Sequence, residues 1–429
     1  MKYNQRDIKK GITIHQINTN KFKTNLLAIF LSTELTKENV TKNAVLSSVL
    51  RRGSKNLKTQ EEISKKLEEM YGAEFDCGLD KMGKNHVLKF YVETINDEFL
   101  PKNEDNMLEC SIKILTDIIF NPLVENEGFC EEYVKQEKEN VKQIIEAKKD
   151  NKANYALFRC TEEMYKNEPE GLYKFGYVED LENIDSKNLY EYYKKLVDEC
   201  KIDIFISGEL TNANAENIIL NNENIKKLNH REPKYIINEI ETKQGIAEEK
   251  TVTESMDVTQ GKIVIGYDVE IDETMQKNEN LRYIGMVYNG ILGGSATSKL
   301  FQNVREKASL AYTTASKYLY YSNNIMVTAG IDIENFDKTI NIIKKQIEDM
   351  KNGDFTDNDI KNIKKIIISN INSIDDEQDT EIIYFLGQAL GNKNVSLEDY
   401  AKKISNVSRD EIIDFAQKIK INTIYFLRN

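Results

Sequence analysis

Two hydrophobic rhythms alternate along this chain, and the order in which they alternate occurs twice. Residues 25–35 (NLLAIFLSTEL) are rich in β-formers and bounded by polar residues, which predicts a strand. Leu46, Val49 and Leu50 then recur at helical spacing up to Gly53, a residue suited to a left-handed helix end. Residues 59–62 (TQEE) form a capping box that opens a helix through Ile63, Leu67, Met70 and Tyr71. Residues 86–93 (HVLKFYVE) predict a strand and residues 106–120 an amphipathic helix.

The second half replays this order. Residues 261–271 (GKIVIGYDVEI) predict a strand, and Leu281, Ile284, Val287 and Ile291 a helix that stops at Gly293 and Gly294. Leu300, Phe301 and Val304 mark a further helix, residues 323–333 a strand and residues 336–350 a long helix. Gly53 aligns with Gly293, and the closing strands 201–207 (KIDIFIS) and 422–427 (NTIYFL) align through Ile204 and Ile424. The small drift between these alignments is what surface-loop insertions produce. The expected fold is therefore α+β: two homologous domains, 1–228 and 251–429, each a mostly antiparallel sheet packed with helices. Residues 229–250, with Pro233 and many charges, form the expected linker.

Composition narrows the function. A chain of 429 residues is too long for one comfortable core, in keeping with two domains. Its formal net charge of −12 lacks the basic footprint that phosphate binding needs, so no nucleic-acid partner is expected. No run approaches the ~18 apolar residues of a membrane span, and the first residues lack the apolar stretch of a secretory signal. The five cysteines (Cys77, Cys110, Cys130, Cys160, Cys200) are scattered and form no CxxC, as expected of reduced thiols in a cytoplasm. The three histidines (His15, His86, His230) lie in separate segments and fail as a metal set on count and spacing.

Residues 292–312, LGGSATSKLFQNVREKASLAY, carry a specific resemblance. Leu292, Gly293, Gly294, Ser298, Leu300, Phe301, Val304, Arg305, Glu306, Leu310, Ala311 and Tyr312 match a turn of the M16 zinc peptidases, the insulinase and mitochondrial-processing-peptidase type. The helix-then-strand run ending in DIFISGEL is similar to the end of that family's first domain, and the resemblance spans essentially the whole chain.

The resemblance implies a zinc site on an inverted H-x-x-E-H motif before a Gly-Ser/Thr, completed by a downstream glutamate. Counting back from Gly53-Ser54 in KNAVLSSVLRRGS, those positions are Ala44, Ser47 and Ser48. A methyl group and two neutral hydroxyls replace two imidazoles and a carboxylate. The downstream ligand falls near Ile144, with Glu139 and Glu146 close by in sequence. No metal is expected in this chain; zinc is expected in a partner subunit.

What the resemblance retains is an Arg/Tyr pair, here Arg305 and Tyr312, that contacts substrate from the second domain. Arginine offers a fixed fork of donors, and tyrosine a hydroxyl that can donate to a carbonyl or oxyanion. Gly293, Gly294, Ser298 and Phe301 join them as substrate-binding candidates, the glycines by admitting a peptide closely. In such proteins extended peptides add to a sheet edge. The combination implies a non-catalytic, substrate-binding subunit of a heterodimeric M16-type peptidase, whose HxxEH-bearing paralogue supplies the chemistry on peptides or unfolded segments. The alternative is an inactive scaffold or peptide-binding protein in a maturation complex. A self-sufficient hydrolase on Ser47 or Ser48 has no histidine placed to activate it.

Overall fold

The computed structural model describes residues 2–101, 106–166, 168–210, 214–243 and 248–429. Two compact units emerge: Met1–Glu146, Leu172–Ile237 and Asp375–Lys393 form one, and Ala147–Gly171, Asn238–Ile374 and Asn394–Asn429 the other.

In the first unit the strands are β1 (Tyr3–Lys9), β2 (Ile12–Asn18), β3 (Thr24–Glu34), β4 (Glu74–Met82) and β5 (Asn85–Ile95), then the two-residue β6 (Val124–Glu125) and β7 (Gly128–Phe129), and β8 (Lys201–Gly208). The main sheet runs β1-β2-β8-β3-β5-β4. Every pairing is antiparallel except β2 with β8. In the second unit β9 (Lys250–Ser255), β10 (Gly261–Val269), β11 (Ala311–Leu319), β12 (Asn324–Ile331) and β13 (Ile419–Arg428) run β11-β12-β10-β13-β9. Here the single parallel pair is β13 with β9. The order β2-β8-β3-β5-β4 of the first sheet thus reappears as β9-β13-β10-β12-β11, with the parallel pair in the equivalent place. The repeat read from hydrophobic spacing is a repeat of topology.

Successive strand residues point to opposite faces, and β3 buries both. Leu27, Ile29 and Leu31 face the helices Lys37–Leu50 and Met107–Phe120 through Ala44, Val45, Ile112 and Leu115. Leu26, Ala28 and Phe30 meet Ile382, Phe385 and Leu386 of the helix Gln378–Leu390, which comes from the far end of the chain. The second unit is built reciprocally. Tyr155, Ala156 and Cys160 of the helix Lys152–Met164, from the first half, cover Val264, Met326, Tyr425 and Leu427. Gly266 makes room there, since a Cβ on it would collide with the sulfur of Met164. Glu254 on β9 pins this helix, accepting from the Tyr155 hydroxyl (2.6 Å) and Arg159 Nε (3.0 Å), and from Tyr425 on β13 (2.7 Å).

The contiguous halves and the compact units therefore differ by one exchanged helix each. The segment expected as a linker is also packed in part. Arg231 is buried, its backbone N–H donating to the Lys10 carbonyl at 3.1 Å, while Ile236 N–H donates to Asn85 Oδ1 at 2.8 Å. Residues 244–247 of that segment lie outside the described residues.

Candidate functional site

Candidate chemistry sits in both units. In the first, the helix Lys37–Leu50 carries the positions expected for the zinc motif. Ala44 and Ser47 are buried, and Ser48 turns its hydroxyl back to the Ala44 carbonyl one turn earlier (3.2 Å). The Ser47 carbonyl faces the Cys77 thiol of β4 at 3.8 Å, and burial pushes that thiol up to about 11. Ile144 is an exposed apolar residue on the helix Glu131–Ala147. Among the described residues no group of three His, Cys, Asp or Glu side chains is arranged to hold a metal. The residues present do not fit zinc.

A different device stands beside them. Arg52, just past the helix, places Nε 3.3 Å from the Oε1 of buried Glu137 and lays its guanidinium 5.1 Å from the Tyr133 ring. It also donates to Gln136 and to Gln60. A fixed guanidinium, not a cation from solution, neutralises the carboxylate here. The paired arginines before Gly53 were the only sequence signal of this.

In the second unit the turn 292–312 is irregular three times over. The expected helix at Phe301 is a π-helix over Phe301–Lys307. Ser309 follows with φ of 52°, and Tyr312 is the bulge residue of β11, since Ala311 pairs with Ile331 and Thr313 with Gly330. π-Turns, left-handed non-glycine residues and bulges each cost free energy and re-aim side chains, and they gather where function holds them.

Arg305 stacks its guanidinium over the Phe301 ring at 4.7 Å and lies 3.8 Å from Glu306, its side chain 45% exposed. Tyr312 is 58% exposed, an unusual place for so large a ring. Its hydroxyl donates to Asp332 Oδ1 at 3.0 Å, and this bond to a carboxylate raises the phenol above its usual pKa. Asp332, which sequence reasoning passed over, reaches Tyr312 because it follows Ile331, the partner of Ala311. That adjacency exists only once β11 and β12 pair.

The other candidates shape the turn. Ser298 is buried, its carbonyl accepting from Gln302 N–H at 2.9 Å. Gly293 N–H donates to the Asn289 carbonyl (2.9 Å), and Gly293 accepts from Ser316 N–H of β11 (3.0 Å). A Cβ on Gly293 would lie 2.7 Å from both Ser316 N and Leu300 Cδ1, so β11 itself fills the space this glycine leaves. Gly294 is exposed beside Asn289.

Residues 183–367 match a family profile described as the peptidase M16 inactive domain. Over 418 residues, 97% of this chain and 96% of the relative, the chain is 35% identical to the probable inactive metalloprotease YmfF of Bacillus subtilis (strain 168). The chain belongs to the M16 peptidase family. A crystal structure of a conserved Enterococcus faecalis V583 protein superimposes on this M16 chain with a TM-score of 0.88 at 28% identity, covering 100% of this chain and 99% of the other. The peptidase M16 inactive domain from Pseudomonas fluorescens shares the fold with a TM-score of 0.78 at 15% identity, covering 100% and 98%. This M16 chain is thus a homologue of a protein named a probable inactive metalloprotease, and part of it matches a profile described as an inactive domain. No described helix is long and apolar enough to cross a membrane.

Proposed function

We propose that this chain is the non-catalytic, substrate-binding subunit of a heterodimeric M16-type zinc peptidase, and that it presents peptides or unfolded segments to an HxxEH-bearing paralogue. The observation that carries the reading is the turn 301–312: an exposed arginine and an exposed tyrosine held on a π-helix and a β-bulge. A chain that had become only a scaffold would have no use for such costly irregularity around two solvent-facing polar side chains. The bulge also lies on β11, an edge strand, where an extended peptide can add main-chain hydrogen bonds. All five cysteines are free thiols, which suits action in the cytoplasm.

The test is reconstitution. Zinc content and cleavage of a mixed peptide pool are measured for this chain, for its HxxEH paralogue and for the mixture. The proposal expects zinc in the paralogue and cleavage that rises sharply only in the mixture. A stable complex in which this chain adds nothing to cleavage would make it a scaffold instead.

A further inference from the structure

Tyr312 has one proton to give, and it gives it to Asp332 at 3.0 Å. A phenol oxygen so engaged keeps only acceptor lone pairs for a ligand. The neighbouring carboxylate adds acceptor sites and a full negative charge. Asp332 is itself exposed and has no ion-pairing cation among the described residues. By contrast, the charge of Arg305 is partly met by Glu306 at 3.8 Å and by the Phe301 ring. The two exposed ends of the turn therefore offer different chemistry: donors at Arg305, acceptors with unbalanced negative charge at Tyr312.

We infer that Asp332 sets the ligand class of this site: the Tyr312–Asp332 pair seats a cationic nitrogen of the bound peptide, the ammonium or guanidinium of a basic residue. This rests on the peptide-binding role proposed above and specifies it. A tyrosine that recognised a carbonyl would need its proton free. Here the geometry reverses the polarity, and the group that fits is one rich in N–H donors. Such a contact, open to solvent, is modest in strength and screened by salt, so it acts on selectivity more than on total affinity.

The experiment uses the full chain and blocked peptides, acetylated and amidated, identical except for a single Lys, Gln or Glu, plus a Lys-free peptide with an unblocked amine. Binding is followed by fluorescence anisotropy at low and high salt. Wild type is expected to prefer the Lys peptide over the Gln peptide by roughly 2- to 5-fold at low salt, the range of exposed ion pairs, and to bind the Glu peptide worst. D332N, whose side-chain oxygen still accepts from Tyr312, is expected to erase that preference, so that the Lys and Gln peptides bind alike. A preference for the unblocked amine over the Lys side chain would assign the seat to a chain terminus and overturn the basic-residue assignment. Equal Lys and Gln binding in wild type, or a preference that survives in D332N, overturns the inference. If R305A still weakens all peptides in that case, the substrate-binding role stands without it. Absence of peptide binding together with no effect of R305A overturns both.

Discussion

Arg52 and Glu137 form an ion pair of 3.3 Å, joining the end of the helix Lys37–Leu50 to the helix Glu131–Ala147. Glu137 is buried and Arg52 mostly so, which makes the pair structural rather than decorative. Glu137 also accepts from Asn140 Nδ2 at 3.1 Å, so removing Arg52 takes away its counter-charge and leaves that hydrogen bond.

Arg52→Ala is therefore expected to destabilise the protein by about 2 kcal/mol, the cost of leaving a buried carboxylate without its counter-charge. Replacing both partners, as in R52M/E137L, is expected to recover most of that loss, because two apolar side chains need no partner. Urea unfolding of the three proteins checks this. A double variant as weak as the single one would mean that the charges themselves are needed.

The exchanged helices predict a failure and a rescue. Residues 1–228 alone would leave Leu26, Ala28, Phe30 and Phe205 bare where the helix Gln378–Leu390 belongs, and residues 251–429 would lack the helix Lys152–Met164. Each half expressed separately is expected to aggregate, and co-expression to return a soluble complex. Two halves that fold on their own would show that the exchange contributes little.

A buried chain of polar groups predicts acid sensitivity. His15 Nδ1 accepts from the Tyr3 hydroxyl at 2.9 Å, and Nε2 donates to Asp203 at 2.8 Å. Burial holds the imidazole below its usual pKa despite that carboxylate. Burial opposes ionisation of Asp203 too, but Lys201 and the His15 bond outweigh it and hold the carboxyl at about 2. Both folded-state values lie below the unfolded ones, so both groups bind protons more tightly in the unfolded chain. Their contribution is complete above about pH 6.5 and is lost as pH falls, first through His15 and then, below about pH 4, through Asp203. Stability between pH 7 and pH 4 is expected to fall less steeply in H15Q than in wild type, as measured by denaturant midpoints.

The large repeat was legible in the sequence because central strands and amphipathic helices carry strong periodicity. β3, β5, β10, β12 and β13 all lie where alternating or continuous apolar runs placed them. The edge strands β4 (EFDCGLDKM) and β11 (AYTTASKYL) carry no such signal, since each is half-exposed and polar enough to read as a turn. At the turn, the motif located Arg305 and Tyr312, but π-winding, the bulge and the bond to Asp332 depend on pairing between β11 and β12. Gly293 illustrates the same limit. Its need for a hydrogen in place of a side chain comes from Ser316 and Leu300, neighbours that only the fold supplies.

Gly293→Ala should then act through packing. With Ser316 N and Leu300 Cδ1 each 2.7 Å from the new methyl, β11 must shift, at an expected cost of about 1–3 kcal/mol. Thermal unfolding reads the loss, and an unchanged midpoint would show that the turn has slack.

The most direct test of the central claim is kcat/KM for peptide cleavage by the complex with its HxxEH paralogue, comparing R305A with wild type and recording the affinity between subunits alongside. A donor to substrate lost from a charged side chain predicts a fall of roughly 10- to 100-fold with the complex intact. An unchanged kcat/KM in an intact complex would contradict the assignment of this chain as the substrate-binding subunit.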